Sequence, residues 1–223
     1  MRRFITLTLL LAAALAACSD APSADPITSS AYLAFRSQPT ACGAELPESA
    51  LDLQWEAPGD AGVSGSLDVT INTSCGPIQV TLDADAAPET VNSFVFLAEQ
   101  GYYDGTTIHR AFPGFMVQMG DPTATGRGNP GYEIPDEFPA PGFVYDRGVV
   151  AMANSGQPDS GGSQFFLMLG TAPLPPAYSV FGSVTGGLEV LDRIVTVPLG
   201  PGNDSVPTRP LESIYIESVD VAR

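Results

Sequence analysis

The sequence predicts a mainly β domain, a closed eight-stranded antiparallel barrel capped by two α-helices, and three observations predict it. Eight short apolar segments are separated by turn residues, and the first two alternate apolar and polar side chains in the period-2 pattern of half-buried strands. Only two segments switch to the three- and four-residue spacing of a helix. With 23 glycines and 21 prolines among 223 residues, the composition favours many short strands joined by turns over long helices. Closing such a sheet on itself removes its exposed edges, so a barrel is expected.

The chain opens with Arg2 and Arg3 and an apolar run, FITLTLLLAAALAA, which is too short to span a bilayer and has the form of a signal-peptide core. It ends in Leu15-Ala16-Ala17-Cys18, which resembles a bacterial lipobox, the motif whose cysteine becomes the lipidated first residue. Residues 1–17 are therefore expected to be a lipoprotein signal peptide, with Cys18 anchoring the chain to a membrane of the bacterial cell envelope. Residues 18–31 are small, polar and proline-containing and read as a flexible tether. Residues 32–65 carry Tyr32, Phe35 and Trp55 beside the turn-rich PGDAGVSG and read as an irregular arm packed on the domain, which fills 66–223.

In that domain Leu67, Val69 and Ile71 alternate with polar neighbours, and Ile78, Val80 and Leu82 resume the pattern after the turn, giving a hairpin. Val91, Phe94, Val95 and Ala98 recur at helical spacing, with Pro88 suited to a first turn and Gly101 to a helix end. The remaining strands are expected at Thr106–His109, Gly114–Gly120, Gly148–Ala151, Ser163–Leu169, Val180–Val184 and Ile214–Val221, with a second helix at Leu188–Ile194. The stretches GDPTATGRGNPGYEIPDEF and SGQPDSGG are expected as ordered loops.

Charge and cysteine usage narrow the function. The formal net charge is −16, and all nine basic residues are arginines, so the general field does not attract nucleic acid. Lipidation of Cys18 leaves Cys42 and Cys75, and two cysteines in an exported chain suggest a disulfide, the alternative being two free thiols. One histidine and at most two free cysteines make a zinc site improbable, and no metal or other cofactor is expected. GGSQF lacks the second glycine of a nucleophile elbow, and no spacing aims His109 at a serine, which argues against a serine hydrolase.

Three segments carry the chemistry: IHRAFPGFMVQMGDP, GVVAMANSG and GGSQFFLM. Met116 shares a strand face with Gln118, as Gln164 does with Phe166, so neighbouring segments would form a shallow surface with an apolar floor, two amides and Arg110. Together with YSVFG, and with TSCGPIQVTLDADAAPETVNSFVFLA before them, these motifs resemble the cyclophilin family of peptidyl-prolyl cis–trans isomerases over about residues 66–221. The resemblance implies an eight-stranded barrel capped by two helices, with the site on its outer face. It implies Arg110 as the catalytic arginine, steadied by Gln118. It implies Phe115, Met116, Phe166 and Leu174 as walls of a proline pocket, and Ala153, Asn154 and Gln164 as groups that hold the peptide backbone and line a neighbouring groove. Tyr178 stands where many members have histidine, and Pro173 where many have tryptophan. Strand alternation alone sends Phe115 to the opposite face from Met116, so its place in the pocket rests on the resemblance. The implied partners are proline-containing polypeptides, with the protein itself a monomer. An envelope chaperone that grips proline segments with weak or no turnover is the alternative.

Overall fold

The computed structural model describes residues 24–223; the expected signal peptide and Cys18 lie outside them. The fold is one curled, eight-stranded antiparallel sheet with three helices. The hairpin forms β1 (Ser66–Thr73) and β2 (Gly76–Asp83), followed by helix α2 (Pro88–Glu99), helix α1 (Ser30–Arg36) having preceded them in the arm. Then come β3 (Arg110–Phe112), β4 (Met116–Met119), β5 (Val149–Met152), β6 (Phe165–Met168), β7 (Val180–Gly186) and helix α3 (Leu188–Ile194). A two-residue ribbon, β8 (Leu199–Gly200) with β9 (Arg209–Pro210), precedes the last strand, β10 (Ile216–Val221).

The sheet runs β10-β1-β2-β7-β5-β6-β4-β3. The expectation of a closed barrel is corrected here: β3 and β10, the two ends, form no ladder with each other. β3 is only three residues long, and the backbone before it spans the seam instead. Gly105 and Ile108 donate to the carbonyls of Ile216 and Ile214, and Ile216 donates back to Thr106, at 2.8–2.9 Å. That use of residues 105–108 also displaces the strand expected at Thr106–His109 to Arg110–Phe112.

The inner face of the curl is the core. Val117, Leu167 and Val150 face one another across β4, β6 and β5, and all are buried. Helix α2 lays Val91, Phe94, Val95 and Ala98 onto this face, the stripe its spacing predicts. Phe94 meets Phe165 edge-on with ring centres 5.2 Å apart, the arrangement aromatic quadrupoles favour.

The arm departs from expectation at its start. Tethering was expected through residue 31, but Ile27 is buried, Pro26 bridges to Leu51, and Ser29 caps α1 by accepting the Tyr32 N–H at 3.1 Å. Tyr32 and Phe35, three residues apart and so on one face of α1, are both buried. The Tyr32 hydroxyl donates to the Gly105 carbonyl at 2.8 Å and accepts from the Ala50 N–H at 2.7 Å. Further along, Trp55 packs against Phe96 with ring centres 5.3 Å apart. A Cys42–Cys75 disulfide ties the arm to the hairpin turn, its Cα atoms 5.2 Å apart, within the usual span of such a bond.

Candidate active site

The register of the sheet assembles the outer face. Arg110 on β3 lies directly opposite Gln118 on β4, and Gln118 lies opposite Phe166 on β6, which in turn faces Ala151 on β5. One step along, Met116 pairs with Met168. Because side chains alternate along each strand, these cross-strand partners share the face turned away from the core. A second apolar cluster forms there from Met116, Tyr145, Ala151, Phe166 and Met168, with Phe115, Leu174 and Tyr178 packed on it.

Phe115 reaches this face because it is not yet part of the strand. Gly114 takes a left-handed φ of 76° in the turn between β3 and β4, a conformation side chains with a Cβ rarely adopt. The alternation that begins at Met116 therefore does not bind its predecessor. Phe115 stacks edge-on against Phe112, with ring centres 5.5 Å apart.

The result is a cavity of about 110 Å³ lined by Arg110, Phe115, Met116, Gln118, Ala153, Asn154, Phe166, Leu174 and Tyr178. The tenth expected residue, Gln164, lies just outside it and lines an adjoining groove of about 140 Å³ that also touches Gln118, Ala153 and Asn154. Phe166 and Tyr178 stand edge-on at 5.3 Å, and the Tyr145 hydroxyl holds the Tyr178 carbonyl at 2.9 Å from below. Asn154 donates to the Ala177 carbonyl at 2.8 Å, fixing the far rim.

A directional chain of hydrogen bonds orients the polar side. Gln164 donates to the Gly128 carbonyl at 2.9 Å and accepts from Gln118 at 2.9 Å. Gln118 in turn accepts from Arg110 Nη1 at 3.1 Å. The other edge of the guanidinium is clamped by Asp204: Nε donates to Oδ2 at 2.8 Å and Nη2 to Oδ1 at 2.6 Å. Thr208 Oγ1 also donates to Asp204, at 2.7 Å. These bonds occupy three of the five guanidinium N–H groups and leave one on Nη1 and one on Nη2 for a ligand. The hydrogen bonds from Arg110 hold the Asp204 carboxyl below the ordinary carboxylate range.

Asp204 is the residue that the sequence motifs do not reveal. It lies in the loop between β8 and β9, 94 residues from Arg110, and nothing in GPGNDSVP distinguishes it from a turn aspartate. His109 is absent from the cavity lining. Both of its ring nitrogens are buried without a hydrogen-bond partner, and burial lowers its pKa below the usual histidine value. Among the described residues no group of three or more His, Cys, Asp or Glu side chains is placed to hold a metal ion.

An apolar socket of single-ring size thus lies beside a fixed donor on the outside of a curled β-sheet, the form of a small ligand-binding site. The comparisons specify it further. Residues 67–221 match the family described as cyclophilin type peptidyl-prolyl cis-trans isomerase/CLD, so the chain belongs to the cyclophilin-type peptidyl-prolyl isomerases. It is 43% identical over 174 residues to peptidyl-prolyl cis-trans isomerase B of Streptomyces anulatus, an alignment covering 70% of this chain and 96% of that protein. It is 48% identical over 158 residues to peptidyl-prolyl cis-trans isomerase-like 2 of Cryptococcus neoformans, covering 68% of this chain but only 27% of that longer protein. The crystal structure of a Cryptosporidium parvum cyclophilin type peptidyl-prolyl cis-trans isomerase superposes with a TM-score of 0.65 at 32% identity, over 71% of this chain and 98% of that one. The arm before residue 67 lies outside the family match.

Proposed function

We propose that the protein accelerates rotation about X-Pro bonds in exported polypeptides, with Arg110 as the catalytic residue. The observation that carries this reading is the clamped guanidinium, with two N–H groups left free, at the mouth of an apolar socket. Amide resonance sets a rotation barrier of roughly 18–20 kcal/mol, and uncatalysed exchange takes tens of seconds or more. Lowering that barrier requires no covalent chemistry. In the twisted state resonance is lost, and the proline nitrogen becomes pyramidal and able to accept a hydrogen bond. A guanidinium N–H beside that nitrogen then binds the transition state more tightly than the planar ground state. Phe115, Met116, Phe166 and Leu174 hold the ring still while the chain on the other side of the bond turns. Gln118 and Asp204 keep the donor from following it.

The test is the cis-to-trans rate of a proline peptide. Removing one preorganised donor aimed at transition-state charge costs about 10²–10³ in rate. Arg110→Ala is expected to lose that much, and Arg110→Lys to remain poor because an ammonium cannot reproduce the planar fork. Wild-type rates in Arg110→Ala would refute Arg110 as the catalytic residue; binding of proline peptides by the wild-type protein without acceleration of their isomerisation would leave the proline-gripping chaperone as the better reading.

The setting belongs to the same proposal. The lipobox-like Leu15–Cys18 and the Cys42–Cys75 disulfide both support an exported, membrane-anchored chain, since disulfides persist in oxidising compartments. The envelope site and the monomeric state follow as parts of this reading.

A further inference from the structure

A second cavity opens on the other side of Arg110. It is a cleft of about 660 Å³ between the α1 residues Ala31, Ala34 and Phe35 and the loop from Pro201 to Asp204, with Arg209 beside them. Arg110 and Gln118 line both this cleft and the proline pocket, so the two cavities adjoin at the guanidinium. One wall belongs to the arm, outside the part of the chain that the family match covers. That wall is held in place: Ser29 Oγ donates to the Thr123 carbonyl at 2.6 Å, and the Tyr32 hydroxyl donates to Gly105 and accepts from Ala50.

The charge in the cleft is unevenly spent. Asp204, its carboxylate, is already taken by Arg110 and Thr208. Arg209 is not: its guanidinium lies 5.1 Å over the Phe35 ring, and among the described residues its side chain makes no ion pair or hydrogen bond. Stacking of this kind supports a planar cation while leaving its in-plane N–H groups available.

We propose that the cleft is a second substrate subsite, built by the arm, that takes the polypeptide segment flanking the proline and pairs an acidic side chain of that segment with Arg209. This rests on the isomerase reading of the neighbouring pocket. The net charge of −16 makes the proposal sharp, because the general field disfavours acidic peptides and favours basic ones. A preference for acid can come only from a local cation.

The experiment compares a short proline peptide with versions extended on either side by four residues carrying Glu, Gln or Lys, at physiological salt. Pairing at a half-exposed site is expected to raise kcat/KM for one Glu extension about threefold to fivefold over Gln, through KM. In Arg209→Ala and in Ala34→Trp, which fills the cleft, the ratio of Glu-extended to short peptide is expected to fall to about one, with melts confirming the fold. Fluorescence anisotropy with a labelled Glu-extended peptide reads the cleft independently of turnover. Loss of rate on every peptide with Glu-dependent binding intact would count against the isomerase reading and leave the subsite standing. Equal Kd for the Glu and Lys peptides, or a Glu preference that survives both substitutions, overturns the subsite.

Discussion

Replacing Asp204 by alanine separates positioning from chemistry. The substitution removes both bonds on one edge of the Arg110 guanidinium and leaves a single 3.1 Å contact to Gln118. The donor remains present and charged but is free to swing about that contact. A misplacement of about 1 Å in a reacting group costs on the order of 10²-fold, and complete loss of a donor about 10²–10³-fold. Asp204→Ala is therefore expected to lower kcat about 10–100-fold, less than Arg110→Ala. KM should change little, because the apolar walls are untouched. Stability should change little too: the ion pair is partly exposed, with 32% of the Arg110 side chain accessible, and such pairs contribute about 0–1 kcal/mol. Asp204→Asn keeps one acceptor and should fall between. The sign of the pH dependence follows from the lowered Asp204 pKa. Its carboxylate stays charged well below neutrality, so the clamp is intact above about pH 4 and is lost only as pH falls through the depressed folded value. The assay is kcat and KM on a proline peptide from pH 5 to 8, with melts for each variant. A wild-type kcat in Asp204→Ala, or a loss matched by a collapse in melting temperature, would refute the positioning role.

Three further outcomes are expected. Breaking the Cys42–Cys75 bond, which closes a 33-residue separation, costs about 3–4 kcal/mol in the chain-entropy model. For a domain of this size that lowers the melting temperature by roughly 7–15 °C; a melt of Cys42→Ser with Cys75→Ser that moves by less than about 2 °C would contradict it. His109 is buried and its pKa is lowered, so unfolding lets it take up a proton below about pH 6.5, and its contribution to stability is lost as pH falls from there. The drop in melting temperature between pH 7 and 5 should accordingly shrink in His109→Gln, while isomerase activity stays near wild type because no proton is transferred. Finally, Cys18→Ser should accumulate as unprocessed precursor in the native host, which cell fractionation and mass spectrometry would show; normal maturation would remove the lipoprotein reading.

Much of the fold is legible where local and global demands agree. The alternation around Val69 and Val80 and the helical spacing of Val91, Phe94 and Val95 each bury one face, so pattern and packing coincide. The pattern misleads where backbone bonding decides. Thr106 to Ile108 look like a strand but spend their bonds bridging the seam, so no continuous ladder joins β3 to β10. Helix α1 is hidden because its N-cap, Ser29, sits in a polar stretch that composition alone reads as a linker. The pocket residues are visible through family motifs, with Phe115 placed by a turn that periodicity cannot express. Asp204 and Arg209 are invisible for a different reason: each acquires meaning only from a partner far away in sequence, Arg110 in one case and Phe35 in the other.

The disulfide also changes how the molecule answers tension. A pull on the N-terminus, whether from a membrane anchor or an optical trap, travels along the arm to Cys42 and crosses directly to Cys75. The segment between them, which includes the whole of β1, lies in a covalent side loop and bears no load. With a sequence separation of 33 bypassed, on the order of 110 Å of contour length is withheld from the extension record until the bond is reduced. Force therefore passes along α1, which walls the cleft beside Arg110, before it enters the sheet through the turn between β1 and β2, so that cleft should feel the load ahead of the sheet.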